Sequence, residues 1–364
     1  MQESPSSSRP TPALIETEAV ETPSRLLRAG AIGMNMRCTT WHRIFRDEAQ
    51  AVLQQAYGLT PYELPVEPTE ASLLGSLHNC EVMITGWGAL PLTTAVLKKC
   101  PALKLVIHGA GSIKEIVTDA ARERGIRFCN AAHVNARPVA EFCLGIILCD
   151  LKRVLRFRKV FAETQNLGEA WWGVHRKFDG GYHRKKIGLI HWGRTARALA
   201  ARLRDFDFEV FVDSEYVTPE ELTQYKLQPA EADWIMAHCD VVSLHAAEIP
   251  KTRHLINARN LALMKDGASL INTARGGLID EDALVAELRK GRIWAFLDIA
   301  QREPPLRGHP FYSLENCVLT PHVSGSIGTE SFRLGDYVLR EIGNHFCGKA
   351  LENPVNLAEL DERA

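Results

Sequence analysis

Four residues that could bind and protonate a small anion lie just after apolar segments in the second half of the chain. Arg275 follows the apolar run of "LINTARGGLIDEDAL", Asp298 and Glu303 that of "FLDIAQREPPL", and His322 the "VLT" of "VLTPHVSGS". Each run is typical of a buried parallel strand, and open α/β sheets bind ligands at the carboxyl ends of their strands. Arginine binds carboxylates through its planar guanidinium, and histidine donates or accepts protons. The pattern indicates a catalytic site at one sheet edge.

The segment "IGLIHWGRTARALAARL", residues 187–203, is typical of a nucleotide-binding turn. The usual pattern is G-x-G-x-x-G, and its glycine positions hold His191, Gly193 and Ala196 here. Gly193 keeps the position where backbone approaches a pyrophosphate, and Ala196 adds only a methyl group where helix packs on strand. Histidine is enriched among residues with positive φ. We therefore expect a strained but usable turn at His191, with the helix N-terminus presented to a phosphate.

Asp213 ends the next predicted strand, about 20 residues after the turn, where a carboxylate usually meets the adenosine ribose. Its carboxylate would accept hydrogen bonds from the ribose hydroxyls and repel a 2′-phosphate. The sequence therefore predicts NAD (NADH) rather than NADP as cofactor.

The chain contains two series of alternating strands and helices, which predicts an α/β fold with two doubly wound parallel sheets. In the first, "EVMITGW" and "LKLVIHGAG" are predicted strands, and "IFRDEAQAVLQQAYG" and "TDAARERGI" predicted helices. The second has six predicted strands: "KIGLIHW", "FEVFVDS", "DVVSLHA", "ASLINTA", "IWAFLDI" and "NCVLTPH". Six is the size of a complete dinucleotide-binding domain. We expect a flavodoxin-like substrate domain and an inserted Rossmann NAD-binding domain.

The segments around the second series define the predicted domain boundaries. "RPVAEFCLGIILCDLKRVLRFRKVF" is predicted as one interdomain helix with Pro138 in its first turn, followed by a loop, "LGEAWWGVHRKFDGGYHR". "TESFRLGDYVLREIGNHFCG" is predicted as a final amphipathic helix. We expect a disordered extension at residues 1–25, a substrate domain from residues 26–136 and 327–364, and the nucleotide domain at residues 137–326.

Composition narrows the class of protein further. The chain has 364 residues, 46% of them hydrophobic and 24% charged, with a formal net charge of −1. These values are typical of a soluble two-domain protein and give no reason to expect nucleic acid or a membrane as partner. Nine scattered cysteines without a C-x-x-C pair indicate a reducing cytoplasm. No metal-ligand spacing occurs, and the Ser/Pro-rich start lacks the apolar segment of a signal peptide.

Three segments, "DVVSLH", "LALMKDGASLINTARGGLIDEDAL" and "LTPHVSG", resemble the D-isomer-specific 2-hydroxyacid dehydrogenase family. That family includes phosphoglycerate, glycerate and D-lactate dehydrogenases and glyoxylate/hydroxypyruvate reductases. The resemblance covers roughly Leu103 to Cys347 and includes "GAGS" and "NARPVAE". It implies hydride transfer between nicotinamide and a small 2-hydroxy or 2-oxo acid, with D-specificity. It also implies a homodimer in which the nucleotide domains pair, for which the helix from Val139 to Val154 is suited.

The resemblance also implies roles for individual residues. The catalytic residues are Arg275 for the substrate carboxylate, His322 as general acid, and Glu303, which orients His322 and favours its imidazolium form. The predicted cofactor-binding residues are Gly193, Arg194, Thr195, Asp213, Thr273, Ala274, Asp298 and Gly325, with Asp298 at the position that contacts the nicotinamide amide. The predicted substrate-binding residues are Trp87, Ala110, Gly111, Ser112 and Arg275.

Several positions depart from the family pattern and leave alternatives open. Trp87 lies close to the position at which phosphoglycerate enzymes have an arginine that binds the phosphate. It is either plain core or the wall of a site for an unphosphorylated substrate with an apolar or planar group. Ala132, His133 and Ala247 stand where family members often have Pro-Gly and proline, and His108 is expected to be structural.

Two alternative functions remain at this stage. One is a catalytically retired regulator, favoured by the altered turn. The other is an enzyme of formate-dehydrogenase type, which would need a glutamine rather than Glu303 beside the histidine, and Gln301 does not align with that position.

Overall fold

The computed structural model describes residues 31–57, 59, 68–175 and 180–360, so the predicted extension at residues 1–25 lies outside the described residues. The first sheet is parallel, with strand order β1-β2-β3-β4. Its strands are β1 (Ile32–Asn35), β2 (Val82–Thr85), β3 (Leu105–His108) and β4 (Arg127–Asn130).

The second sheet is also parallel and has the order β11-β10-β9-β8-β5-β6-β7. Its strands are β5 (Lys186–Ile190), β6 (Glu209–Asp213), β7 (Leu227–Pro229), β8 (Val241–Leu244), β9 (Ser269–Asn272), β10 (Trp294–Leu297) and β11 (Cys317–Leu319). Numbered from β5, this is the 3-2-1-4-5-6 order of dinucleotide-binding domains with one more edge strand. The order reverses between β5 and β8, where such folds bind their ligand.

Helices connect most of the strands, as parallel pairing requires. They are α1 (Cys38–Ile44), α2 (Asp47–Tyr57), α3 (Glu70–Ser76), α4 (Thr94–Lys99), α5 (Asp119–Glu123), α6 (Ala132–Leu151), α7 (Val154–Thr164), α8 (Leu167–His175), α9 (Arg194–Leu203), α10 (Pro219–Tyr225), α11 (Ala232–His238), α12 (Ala258–Leu261), α13 (Glu281–Leu288) and α14 (Phe332–Phe346).

Both sheets are buried on both faces. Consecutive residues of β2 belong to different core clusters, with Val82 and Ile84 on one side and Met83 on the other. In β8, Val241 and Val242 likewise belong to core clusters on opposite faces of the second sheet. This alternation follows from the two-residue period of a strand and confirms the predicted fold class. The final helix, α14, packs on the first sheet, so the chain returns there after completing the second.

The predicted interdomain helix is two helices, and Pro138 is not in its first turn. The first, α6, begins at Ala132, six residues before Pro138, and ends at Leu151. The chain then turns through Arg153, whose φ of 55° is left-handed, before α7 begins. The turn brings Arg153 and Arg156 each to 3.5 Å from the buried carboxylate of Asp150. The prediction of one helix failed because the apolar period runs through this break.

Other predicted elements also need correction. Part of the predicted loop after α7 is helix α8, which packs on α7 with the rings of Phe157 and Trp171 5.7 Å apart. Strands β1, β4 and β7 were not predicted. Strand β7 is short and ends at Pro229, as an edge strand tolerates.

Within the described ranges, no helix is long and apolar enough to cross a membrane. The same ranges contain no group of three or more His, Cys, Asp or Glu residues placed to hold a metal ion. All nine cysteines are free thiols.

Candidate active site

A histidine and a glutamate form an ion pair at the carboxyl edge of the second sheet. His322 Nδ1 lies 2.9 Å from Glu303 Oε2, and the two side chains are 55% and 40% exposed. Glu303 follows β10 and His322 follows β11, its neighbour in the sheet. His322 has a left-handed φ of 55°, and its backbone N–H donates to the Asp298 carbonyl at 3.0 Å. The predicted catalytic pair is therefore assembled and accessible.

Asp298 holds the loop that carries His322. Asp298 is buried, with only 2% of its surface exposed. The carboxylate accepts hydrogen bonds from Thr320 Oγ1 at 2.6 Å, Val323 N at 2.8 Å and Ser324 N at 2.8 Å. These three contacts give Asp298 a positioning role. Its contact with the nicotinamide amide stays a prediction.

Arg275 lies at the same sheet edge, after β9. Asn272 fixes the turn, because its side chain donates to the Arg275 carbonyl at 2.8 Å and accepts from Ala274 N at 3.0 Å. The half-buried Arg275 side chain donates to the Ala274 carbonyl at 2.6 Å. The position after Arg275 requires glycine, because a Cβ on Gly276 would lie only 2.2 Å from the carbonyl carbon of Ala300. This close approach packs the Arg275 turn on the segment that leads to Glu303.

The nucleotide-binding turn keeps the expected shape despite its altered glycines. His191 has a φ of 69°, which confirms the predicted left-handed conformation, and its N–H donates to the Asp213 carbonyl at 2.9 Å. Gly193 is the N-cap of α9, and no side chain caps that helix. The first N–H groups of α9 are therefore available to an anion. Ala196 is fully buried, in the core shared by α9 and α6.

Burial shifts the pKa values of the two side chains beside the turn, Asp213 and His191. Burial raises the pKa of Asp213, and the nearby His191 opposes that shift. Burial likewise lowers the pKa of His191, with Asp213 acting in the opposite direction. A half-buried carboxylate at the end of β6 is suited to accept hydrogen bonds from hydroxyl groups.

His245 is a candidate site residue that the sequence analysis missed. It follows β8 at the point where the strand order reverses, and its backbone N–H donates to the Ile190 carbonyl at 2.9 Å. Its Nε2 atom is buried and has no partner among the described residues. Burial lowers its pKa to about 4, so the ring is neutral near pH 7. Only the histidine in "DVVSLHA", directly after a predicted strand, could have indicated it from sequence.

Arg194 reaches across to the first sheet. Its Nη2 donates to Asn353 Oδ1 at 3.1 Å. Asn353 in turn donates to the carbonyl and side-chain oxygens of Asn130, at the end of β4, both at 2.8 Å. This predicted cofactor residue thus also links the two sheets.

The other predicted cofactor residues lie close to the second sheet edge. Thr195 is half-buried in the first turn of α9, and Ala274 is half-buried beside Arg275. The buried Thr273 contacts Cys143, with Oγ1 and Sγ 3.3 Å apart. Gly325 packs on Asn135, whose side chain accepts a hydrogen bond from Ser326 N at 2.9 Å.

The predicted substrate residues follow β2 and β3 at the carboxyl edge of the first sheet. Ala110 is buried, Gly111 is half-buried and Ser112 is exposed. Trp87 is partly buried against the core, and the Arg43 guanidinium lies 4.3 Å from its ring centroid. Arg43 also donates a hydrogen bond of 2.7 Å to the carbonyl of Ser326, which lies four residues after His322 in the chain. Trp87 thus packs against the core and also carries the Arg43 guanidinium on its ring.

His108 is buried in β3, as a structural residue would be. Its Nδ1 lies 2.9 Å from Thr85 Oγ1. Burial lowers its pKa to about 3, so it carries no charge near neutral pH.

Comparisons with known proteins agree with this geometry. Residues 144–324 match the family model described as D-isomer specific 2-hydroxyacid dehydrogenase, NAD binding domain. The chain is 29% identical over 297 residues to D-3-phosphoglycerate dehydrogenase of Methanocaldococcus jannaschii, covering 81% of this chain and 55% of that protein. The chain thus spans about half the length of the curated relatives it matches.

Solved structures share the fold. The TT0316 protein from Thermus thermophilus is 26% identical with a TM-score of 0.72, covering 89% of this chain and 100% of that one. A Granulicella M. formate dehydrogenase is 27% identical with a TM-score of 0.63, covering 76% and 74%. The apo Rhodotorula graminis D-mandelate dehydrogenase has a TM-score of 0.75 at 21% identity, covering 89% and 97%, a likeness of fold. The chain is thus similar to the D-isomer-specific 2-hydroxyacid dehydrogenase family, most directly over the NAD-binding domain at residues 144–324.

Proposed function

We propose that the protein is an NAD-dependent oxidoreductase that transfers a hydride between nicotinamide and a small 2-oxo or D-2-hydroxy acid, mainly as a reductase. The observation that carries the proposal is the His322–Glu303 ion pair, at the same sheet edge as Arg275. Trp87 lies close to the position at which phosphoglycerate enzymes use an arginine for the phosphate, so we propose an unphosphorylated substrate if Trp87 faces the cleft.

The three catalytic residues have separate roles in this proposal. Arg275 binds the substrate carboxylate through its planar guanidinium. Glu303 holds His322 through Nδ1, which leaves Nε2 to donate a proton to the oxygen of the reduced carbonyl. The Glu303 carboxylate beside it fixes the orientation of the imidazole ring.

The residues present fit a nicotinamide dinucleotide. The uncapped start of α9 offers N–H groups to the pyrophosphate, near Gly193, Arg194 and Thr195. Asp213 would accept hydrogen bonds from the ribose hydroxyls, which favours NAD over NADP. The orphaned Nε2 of His245 offers one more polar contact. When bound, NADH supplies the hydride, and the protein supplies alignment and the proton.

Neither alternative function is supported. The retired-regulator hypothesis rested on the altered turn, which keeps its shape at His191. The formate-dehydrogenase hypothesis needs a glutamine beside the catalytic histidine. Gln301 instead contacts His254 Nε2 at 3.2 Å and the Ile279 carbonyl at 2.9 Å.

We further propose a homodimer, a cytoplasmic location and the predicted domain division. The free state of all nine cysteines supports a reducing compartment. The packing of α14 on the first sheet supports a nucleotide domain inserted into the substrate domain.

The proposal is tested by screening small 2-oxo acids with NADH and NADPH while following the reduced-nicotinamide absorbance. We expect NADH-dependent reduction of at least one 2-oxo acid. His322→Ala should lower kcat by ~100-fold or more, as loss of a general acid does, with NADH affinity nearly unchanged. The control is His183→Ala, which removes an exposed histidine before β5, at the opposite sheet edge. Absence of turnover with every acid, or full activity of His322→Ala beside the control, would refute the proposal.

A further inference from the structure

A basic groove lies where the chain passes between the two sheets. It has a volume of about 260 Å³ and is lined by His133, Val134, Arg137, Arg333, Asp336 and Arg340. The first three belong to the start of α6 and the others to α14. These helices carry the chain into and out of the second sheet, so the α6–α14 groove lies at the crossing point.

Two nitrogen atoms in the α6–α14 groove are buried without a partner. They are Nη1 of Arg333 and Nδ1 of His133, each without a hydrogen bond to any described residue. A buried guanidinium donor that makes no hydrogen bond is costly. Burial lowers the pKa of His133, so its ring is neutral near pH 7 and can accept or donate one hydrogen bond.

The charges around the α6–α14 groove are positive in excess. Arg340 is paired with Glu352 at 2.7 Å. Arg137 contacts Glu141 at 3.0 Å, and Arg202 contacts the same carboxylate at 2.8 Å.

Asp336, the acidic residue of the lining, is itself paired with Arg46. With Arg194 and Glu341, which also act on His133, the surroundings contain six guanidinium groups and four carboxylates, the former being those of Arg46, Arg137, Arg194, Arg202, Arg333 and Arg340. The excess positive charge favours an anion.

The α6–α14 groove and the loop after β11 contact different faces of α6. Asn135, between His133 and Arg137 on α6, points to the loop after β11, where it binds Ser326 N at 2.9 Å. His133 and Arg137, four residues apart, lie on a different face of the same helix and meet α14. At about 260 Å³, the space is below the ~300–1,000 Å³ of sites for larger ligands. It suits a small anion and not a dinucleotide.

We propose that the α6–α14 groove is a second binding site, which takes a small anion with two or more negative charges, either a phosphate group or a di- or tricarboxylate. The anion accepts hydrogen bonds from Arg333 Nη1 and from Arg137. Because these residues lie on both connections between the sheets, the bound anion ties α6 to α14. Its binding is independent of the dinucleotide.

The test is calorimetry on the full chain saturated with NADH, with inorganic phosphate and citrate as probes and sodium chloride at matched ionic strength. We expect saturable binding of at least one probe, and the stronger probe identifies the phosphate or the carboxylate class. Arg333→Gln should weaken binding about tenfold or more, as loss of a charged hydrogen bond does, and Arg333→Lys less. The matched control is Arg289→Gln, which removes an exposed arginine after α13.

Three results would overturn the proposal. They are no saturable heat with either probe, equal binding by Arg333→Gln and Arg289→Gln when circular dichroism shows both folded, or competition between the probe and NADH. The last result would assign the anion to the pyrophosphate position.

Discussion

Among single residues, Asp213 determines how the proposed cofactor preference depends on pH. Burial raises its pKa, so its proton binds at higher pH than in an ordinary aspartate of pKa about 3.9. Once protonated, Asp213 no longer repels a 2′-phosphate. We therefore expect the preference for NADH over NADPH to be largest at alkaline pH and to narrow as pH falls, beginning at a higher pH than an ordinary aspartate would cause. Fluorescence titration of both dinucleotides across a range of pH measures the ratio of their dissociation constants.

Asp213→Asn provides the control for this pH dependence. The amide has no charge to lose, so the variant should show a smaller preference, with a weaker dependence on pH than the wild type. A wild-type ratio that stays constant over the range, or an Asp213→Asn ratio that varies like the wild type, would contradict the assignment.

The catalytic residues could be predicted from sequence because their types and their order along consecutive strands limit their chemistry. His322 and Glu303 follow neighbouring strands, and the structure brings them to 2.9 Å. His245 could not be found in this way, because its unpartnered Nε2 becomes visible only when its surroundings are known. The positioning role of Asp298 likewise depends on a loop 22 to 26 residues later in the chain.

Among the elements, buried strands were predictable and helix breaks were not. All six predicted strands of the second sheet are present, because continuous apolar runs are typical of strands buried on both faces. The break between α6 and α7 depends instead on Asp150, which also accepts a hydrogen bond from Ser269 Oγ, at 2.6 Å, on β9. Asp150 and Ser269 are 119 residues apart in the chain. A contact between residues so far apart produces no local sequence pattern from which the helix break could be predicted.

The turn after β9 depends on Gly276, and its substitution tests how that turn supports the site. In Gly276→Ala, the new Cβ would lie 2.2 Å from the carbonyl carbon of Ala300, a backbone atom. The segment leading to Glu303 would have to move. We expect a loss of about 1–3 kcal/mol in the free energy of unfolding, typical of overpacking, together with a lower kcat. Urea unfolding and steady-state kinetics measure the two effects.

Gly75→Ala is the matched control for this substitution. Gly75 lies in α3 with no atom within 4 Å of an added Cβ, so alanine should stabilise the helix by up to about 1 kcal/mol. If Gly276→Ala were as stable and as active as Gly75→Ala, the close packing of the two turns would be excluded as a support of the site.

At the scale of the whole molecule, the carboxyl edges of the two sheets meet. Arg194, after β5, reaches Asn353 and through it the end of β4. Arg43, after β1, reaches the loop after β11. The proposed substrate residues of the first sheet and the proposed cofactor residues of the second therefore surround one cleft. The order of the strands implies this arrangement, and the two cross-links show which residues hold it together.

The molecule also exposes a large apolar surface on α7 and α8, which we assign to the proposed dimer. Leu167 is 74% exposed and Trp172 is 60% exposed, and Val154, Leu155, Phe161 and Trp171 are exposed nearby. On α6, the helix first expected to pair, Ala140, Cys143 and Ile147 are buried in the core, whereas Phe142, Ile146 and Leu148 are partly exposed. Contiguous exposed apolar surface of this kind is typical of an interface.

We therefore expect light scattering at micromolar concentration to give twice the 40.6 kDa chain mass, with the two-fold symmetry usual for such pairs. Placing a charge in a buried interface is costly, so Trp172→Glu and Leu167→Glu should each shift the mass towards one chain. Leu263→Glu, which changes an exposed leucine after α12, should leave the dimer intact. A wild-type mass of one chain would exclude the dimer, whereas a dimer that persists in both α8 variants would place its interface elsewhere.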